Sequence, residues 1–288
     1  MGIWIVFACV CFSVQTLAMR YVKTTCLRHN LLITGSFTLL IALGFGASGR
    51  FTELSFTQDN LQFGLLFGLV FSATIICYYY AMHTGPLSYT SFFYSASMVI
   101  PSLVGILFWK EPTNWQLLVG IALFLGAFFF ISVPGAPKGG KFSKKWVVFC
   151  FLSWLLNGCC STLVSAHQRA AAGESSTGFM LAGYLSAAVV SFSVYGLLCL
   201  RTSPKGDGAL LKTYAPPLLL VAAGNGLGNA LVAFLASRVA SAYLFPVVLG
   251  GMLLLVTLYS MLVFKEKINR WGKLGILVGL CAIVVMNL

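Results

Sequence analysis

Charge is scarce in this sequence. Only 24 of its 288 residues are charged, or 8%, against about 25% in a soluble domain. Acids are the scarcest, with six against 18 lysines and arginines. So few charges cannot cover the surface of a soluble protein of this length, and a 59% apolar content excludes disorder and collagen as well. Histidine is limited to His29, His83 and His167, none with a carboxylate or thiol at ligand spacing, so no metal site is expected. The nine cysteines are scattered, form no C-x-x-C pair and fall mostly in apolar runs. They read as small packing residues and not as a disulfide scaffold. There is no P-loop or nucleophile elbow. The run Gly224-Asn225-Gly226-Leu227-Gly228 has no strand before it, which removes a dinucleotide loop. No catalytic residue and no cofactor is expected.

What the chain does have is long apolar runs, with a mean hydropathy of +0.93. A spanning helix needs about 20 mostly apolar residues. Such stretches occur at roughly 2–22, 31–48, 61–82, 88–109, 115–133, 146–166, 178–200, 215–237, 242–264 and 270–287. The expected fold class is therefore all-α, a polytopic membrane protein of ten transmembrane helices. The opening MGIWIVFACVCF has no basic n-region, and no A-x-A-like site follows; the first run is expected to be a retained helix.

Charge placement gives the orientation. With the N-terminus outside, the inner loops hold Arg20, Lys23 and Arg28, then Lys138 to Lys145, then Arg201 to Lys212, then Lys265 to Lys273. They carry net charges of +3, +4, +2 and +3, whereas the outer loops are neutral overall. Lysines and arginines divide fourteen to four between the two sides, and that division is what orients a membrane protein. Both termini are thus expected outside, in the plasma (inner) membrane. The net charge of +12 is a topology signal, and no nucleic-acid partner is expected.

The most specific feature is an internal repeat. Phe108-Trp109-Lys110-Glu111-Pro112-Thr113-Asn114 recurs 155 residues later as Val263-Phe264-Lys265-Glu266-Lys267-Ile268-Asn269, and Gly120-Ile121 and Gly275-Ile276 follow at the same offset. Each copy joins the fourth and fifth spans of a five-span half, 1–137 and 138–288. Five is odd, so the second half must enter the membrane inverted, a common architecture of secondary transporters whose substrate site lies near the midplane.

Tyr78-Tyr79-Tyr80-Ala81-Met82 ahead of Gly85-Pro86, followed by Glu111 and Gly120, and then Glu266 and Gly275, resemble the EamA-like repeats of the drug/metabolite transporter (DMT) superfamily. The resemblance covers the whole chain and implies a ten-helix transporter. Where that family commonly has a glycine before the glutamate, this chain has Lys110 and Lys265.

Polar side chains inside spans are functional candidates by default. Gln15 lies in the first span and Asn157 in its counterpart, the sixth. Asn225 and Asn229 are four apart on the eighth and so share a face. Tyr79 lies on the third span, and Tyr94 and Ser97 on the fourth. Singly, each such residue could equally join two helices. As a set, Gln15, Tyr79, Tyr94, Ser97, Asn157, Asn225 and Asn229 outline a neutral substrate-binding chamber. The glycine pairs Gly64/Gly68, Gly224/Gly228 and Gly275/Gly279 read as packing seams, and Glu111 and Glu266 as structural.

No acid falls in mid-span. This argues against the cation/proton antiport that small multidrug exporters of the superfamily carry out with a buried glutamate. The expected function is transport of a small neutral or zwitterionic metabolite by alternating access. The partners are that metabolite and the lipid bilayer, and the reading admits a homodimer. The alternatives are an integral-membrane lipid-modifying enzyme, for which no clustered catalytic set is visible, and a non-transporting scaffold, which would not need a polar midplane.

Overall fold

The computed structural model describes residues 2–19, 21–22, 26–48, 55–84, 90, 93–94, 96–132, 143–171, 176–200, 206–262 and 270–286. Within a bilayer, backbone N–H and C=O groups must find partners inside the protein, and a chain made of long apolar runs meets that demand by forming helices. Among the described residues there are ten continuous helices, further helical residues at 90, 93–94 and 96, and no strand. They are α1 (Gly2–Met19), α2 (Leu27–Ser48), α3 (Gln58–Thr84), α4 (Val99–Leu107), α5 (Trp115–Ser132), α6 (Lys144–Ala170), α7 (Ser176–Cys199), α8 (Asp207–Ala236), α9 (Ser241–Leu262) and α10 (Arg270–Met286). Six of them, α1, α2, α3, α6, α7 and α8, are long and apolar enough to cross a membrane.

Short polar side chains cap two of the helix starts. The Thr57 hydroxyl accepts the Asn60 N–H at 3.2 Å ahead of α3, and the Asn114 carboxamide oxygen accepts the Leu117 N–H at 2.9 Å ahead of α5. These are N-caps, satisfying donors a helix start leaves open. The asparagine of the repeated motif is thus the cap of the helix that follows it. Its counterpart Asn269 lies outside the described residues, and α10 begins at the next position, Arg270.

Two elements differ from the hydropathy reading. The helix α8 begins at Asp207, eight residues before the expected 215, and carries Pro216 and Pro217 in its interior; prolines are tolerated in membrane helices because neighbouring groups take up the freed carbonyls. The fourth run is interrupted. Residues 97–98 form a turn, and α4 starts only at Val99. Pro101 has no N–H to give the Ser97 carbonyl, which accepts the Ile100 N–H at 3.0 Å instead.

Packing joins helices that are far apart in sequence. The most extensive contacts are α2 with α7, α5 with α10, α3 with both α6 and α7, and α1 with α8. Glycine allows the closest approaches. A Cβ on Gly68 would clash with the Gly183 carbonyl oxygen, and one on Gly64 would lie 2.7 Å from the Ala182 methyl, both across the α3–α7 seam. On α8, Gly224 and Gly228 do the same against Cys11, Gln15 and Phe12 of α1, and Gly279 of α10 meets Leu254 of α9. The centre of the core is aromatic, with Phe37, Phe67, Phe179 and Tyr184 all fully buried.

Candidate functional site

Asn157 lies thirteen residues from either end of α6, and opposite it stands the interruption of the fourth run. Its carboxamide nitrogen donates to the Ser97 hydroxyl at 2.6 Å and lies 3.5 Å from the Tyr94 carbonyl. The break ahead of Pro101 takes backbone and hydroxyl groups out of regular helix at mid-depth, where an asparagine can meet them. Tyr94, Ser97 and Asn157 therefore form one cluster.

A second cluster lies on α7 and α8. The fully buried Tyr184 donates its hydroxyl to the Asn225 carboxamide oxygen. Asn229, one turn further along α8, donates to the same oxygen at 3.2 Å and to the Asn225 backbone carbonyl at 3.0 Å. Beside the first cluster, the Tyr78 ring centroid is 4.5 Å from that of Tyr94, and the Thr74 hydroxyl of α3 lies 3.9 Å from the Cys160 sulfur of α6.

The remaining sequence candidates are Gln15 and Tyr79. Gln15 is half-buried on α1, with its backbone beneath Gly224, one residue from Asn225. Tyr79 is buried, 4% exposed, and packs edge-to-face on Tyr80; the ring beside Tyr94 belongs to its neighbour Tyr78. Tyr184, Tyr78 and Thr74 were not among the sequence candidates. A tyrosine within an apolar run is the available signal, because its hydroxyl needs a partner once buried.

Charged groups close the ends of the bundle. The Glu111 carboxylate is buried between the ends of three helices. It accepts from the Arg169 guanidinium at the end of α6 and, at 2.9 Å, from the Ala242 N–H in the first turn of α9. Arg169 also lies over the Trp109 ring, 4.5 Å from its centroid. Glu111 reaches this position through Lys110, which has a φ of 51°. That is the left-handed region, costing roughly 1–2 kcal/mol for a residue with a Cβ, and it explains why glycine suits this position. Nearby, His167 is hydrogen-bonded to Asn60 at 2.5 Å and stacks on Phe179. At the opposite end Asp207 accepts from Arg28 at 2.9 Å and from the Tyr195 hydroxyl at 2.8 Å, with His29 at 3.2 Å. Among the described residues no three His, Cys, Asp or Glu side chains come together to hold a metal ion.

No family model matches the chain. A solved structure described only as the crystal structure of a protein superposes with a TM-score of 0.73 at 16% identity, covering 99% of this chain and 97% of the other, which shows a shared fold. In sequence, the chain is similar to the probable 4-amino-4-deoxy-L-arabinose-phosphoundecaprenol flippase subunit ArnF of Klebsiella pneumoniae subsp. pneumoniae. The two are 35% identical over 75 residues, 25% of this chain and 60% of that protein's length. The subunit of the same name from Klebsiella pneumoniae strain 342 is 32% identical over 89 residues, 28% of this chain and 71% of its own length. Both relatives are named as flippase subunits and not as enzymes, which sets aside the lipid-modifying alternative. A polytopic helical membrane protein that shares this much of its sequence with the second relative belongs to the family of these ArnF flippase subunits.

Proposed function

We propose that the chain is an EamA-like secondary transporter of the DMT superfamily, moving a small neutral or zwitterionic metabolite by alternating access. In this reading ten helices cross the plasma membrane as two inverted halves, 1–137 and 138–288, with both termini outside. The observation that carries it is the cluster of Asn157 with Ser97 and Tyr94 at the break of the fourth run. Transporters commonly build midplane sites from discontinuous helices, because the interruption offers backbone groups to a ligand. Carboxamides and hydroxyls both donate and accept, so they suit a ligand without net charge.

The packing supports the inverted halves. Shifting helix numbers by five turns the α3–α6 contact into α8–α1, the α3–α7 contact into α8–α2 and the α1–α9 contact into α6–α4, and every one of these pairs is in contact. The pairs α2–α7, α4–α9 and α5–α10 map onto themselves. The end networks are consistent with alternating helix directions: Glu111, Arg169 and Ala242 meet at one end, Arg28, Tyr195 and Asp207 at the other. The relatives' named cargo is a phosphoundecaprenol-linked amino sugar, and family membership supports transport of some polar solute without fixing which.

A thermal-shift screen of the purified protein against a metabolite library sorted by charge tests the substrate class. Stabilising hits are expected among neutral and zwitterionic compounds. Hits confined to dianions or to lipophilic cations would overturn the reading.

A further inference from the structure

On one flank of the bundle, away from the carboxamide clusters, α1, α8 and α9 enclose a cleft of about 510 Å³, within the ~300–1,000 Å³ range of ligand pockets. Its slot is apolar, walled by Val14 and Leu17 of α1 and Leu220 of α8. Tyr21, Tyr214 and Tyr259 converge on it from three parts of the chain. Tyrosines favour the level of lipid headgroups, where the ring is apolar and the hydroxyl wet.

The same cleft is lined by Pro216 and Pro217, which lie inside α8. Neither has an N–H, so the carbonyls of Lys212 and Thr213, one turn earlier, lose their helical donors. Carbonyls at the edge of a bilayer need donors from elsewhere. The Lys212 side chain is exposed and sits one turn before Pro216 on the same face. The cleft therefore combines an apolar slot with two acceptors that lack their helical donors, and the Lys212 cation stands just outside its lining, one turn back along α8. It opens at the end of the bundle that holds Arg28 and Asp207, where the sequence concentrates its basic residues.

We propose that this cleft is a binding site for phosphatidylglycerol. One acyl chain fills the slot, the phosphate meets Lys212, and the glycerol hydroxyls donate to the two carbonyls beneath the prolines. Phosphatidylcholine would fill the slot equally well but has no net negative charge and no headgroup hydroxyl, so it is the discriminating comparison. The site does not depend on the identity of the transported solute.

The test is native mass spectrometry of the delipidated full chain, titrated separately with phosphatidylglycerol and phosphatidylcholine of matched acyl chains. The first site should prefer phosphatidylglycerol by roughly fivefold or more, the contribution of one interfacial lysine facing an anionic lipid. Lys212→Gln changes an exposed side chain and should keep the fold while removing most of that preference; Lys144→Gln, an exposed lysine at the start of α6, should leave it intact. Val14→Trp should fill the slot and weaken both lipids at this site. Pro217→Ala, which returns an N–H to the Thr213 carbonyl, should lower the preference without weakening phosphatidylcholine. Equal retention of the two lipids by the parent protein, or an undiminished preference in Lys212→Gln, would overturn the proposal.

Discussion

Glu111→Ala is expected to destabilise the protein by about 2–4 kcal/mol, with a matching loss of monodisperse material on purification. Breaking a buried ion pair by removing one partner costs about 3–5 kcal/mol. The lower range applies here because the Arg169 side chain is 41% exposed and partly solvated, while that of Glu111 is 3% exposed. The Ala242 N–H adds to the loss, since the carboxylate accepts its hydrogen bond at the start of α9, where the helix dipole favours a negative group. Glu111→Gln should be milder: it keeps an acceptor for Ala242 and the packing beneath Gly105, and gives up only the charge facing Arg169. Thermal unfolding of both variants in one detergent checks the order. Per folded molecule, transport should survive in each. A well-folded but inactive Glu111→Gln protein would show that the carboxylate takes part in transport and would contradict the neutral-chamber reading.

Gly68→Leu should yield little or no folded protein. A side chain at this position meets backbone: its Cβ would clash with the Gly183 carbonyl oxygen and lie 2.7 Å from the Ala187 nitrogen. A flexible neighbour could move aside, but here α3 and α7 themselves must separate. They hold the centre of the core, with Phe67, Phe179 and Tyr184 packed at the same seam. Overpacking a tight core costs about 1–3 kcal/mol even when side chains can adjust, and separating two helices exceeds that. Gly126→Ala is the matched control. Nothing lies within 4 Å of its added Cβ, and replacing a helical glycine by alanine stabilises by about 0.5–1 kcal/mol. Size-exclusion profiles of the two variants should therefore diverge. A monodisperse Gly68→Leu protein with parental melting behaviour would refute the seam.

The helices were legible because hydropathy over about 20 residues reports the one demand a bilayer makes on every span. Their interruptions were less so. The fourth run reads as continuous from 88 to 109, and only the competition between Pro101 and the Ser97 carbonyl places the turn. The eighth apolar run begins at about 215, yet α8 continues back through Pro217 and Pro216 to Asp207. The seams at Gly64/Gly68 and Gly224/Gly228 followed from glycine spacing alone. Partner choice did not. Asn157 and Ser97 were both visible as buried polar residues, but their pairing depends on how α6 crosses the broken helix. Tyr184 is separated from Asn225 by 41 residues, and nothing local sets it apart from other aromatics in a span. The choice between Tyr78 and Tyr79 turns on a helix rotation of about 100°, finer than a weakly amphipathic apolar run can specify.

The central claim is that the carboxamide clusters handle the transported solute, and exchange in proteoliposomes tests it most directly. The compound that best stabilises the protein in the thermal-shift screen would be loaded inside vesicles, and uptake of its labelled form followed for the parent and for the Gln15→Ala, Asn157→Ala, Asn225→Ala triple variant. The reading predicts saturable exchange by the parent and its loss in a triple variant that remains monodisperse. Parental rates of exchange in the triple variant would contradict it.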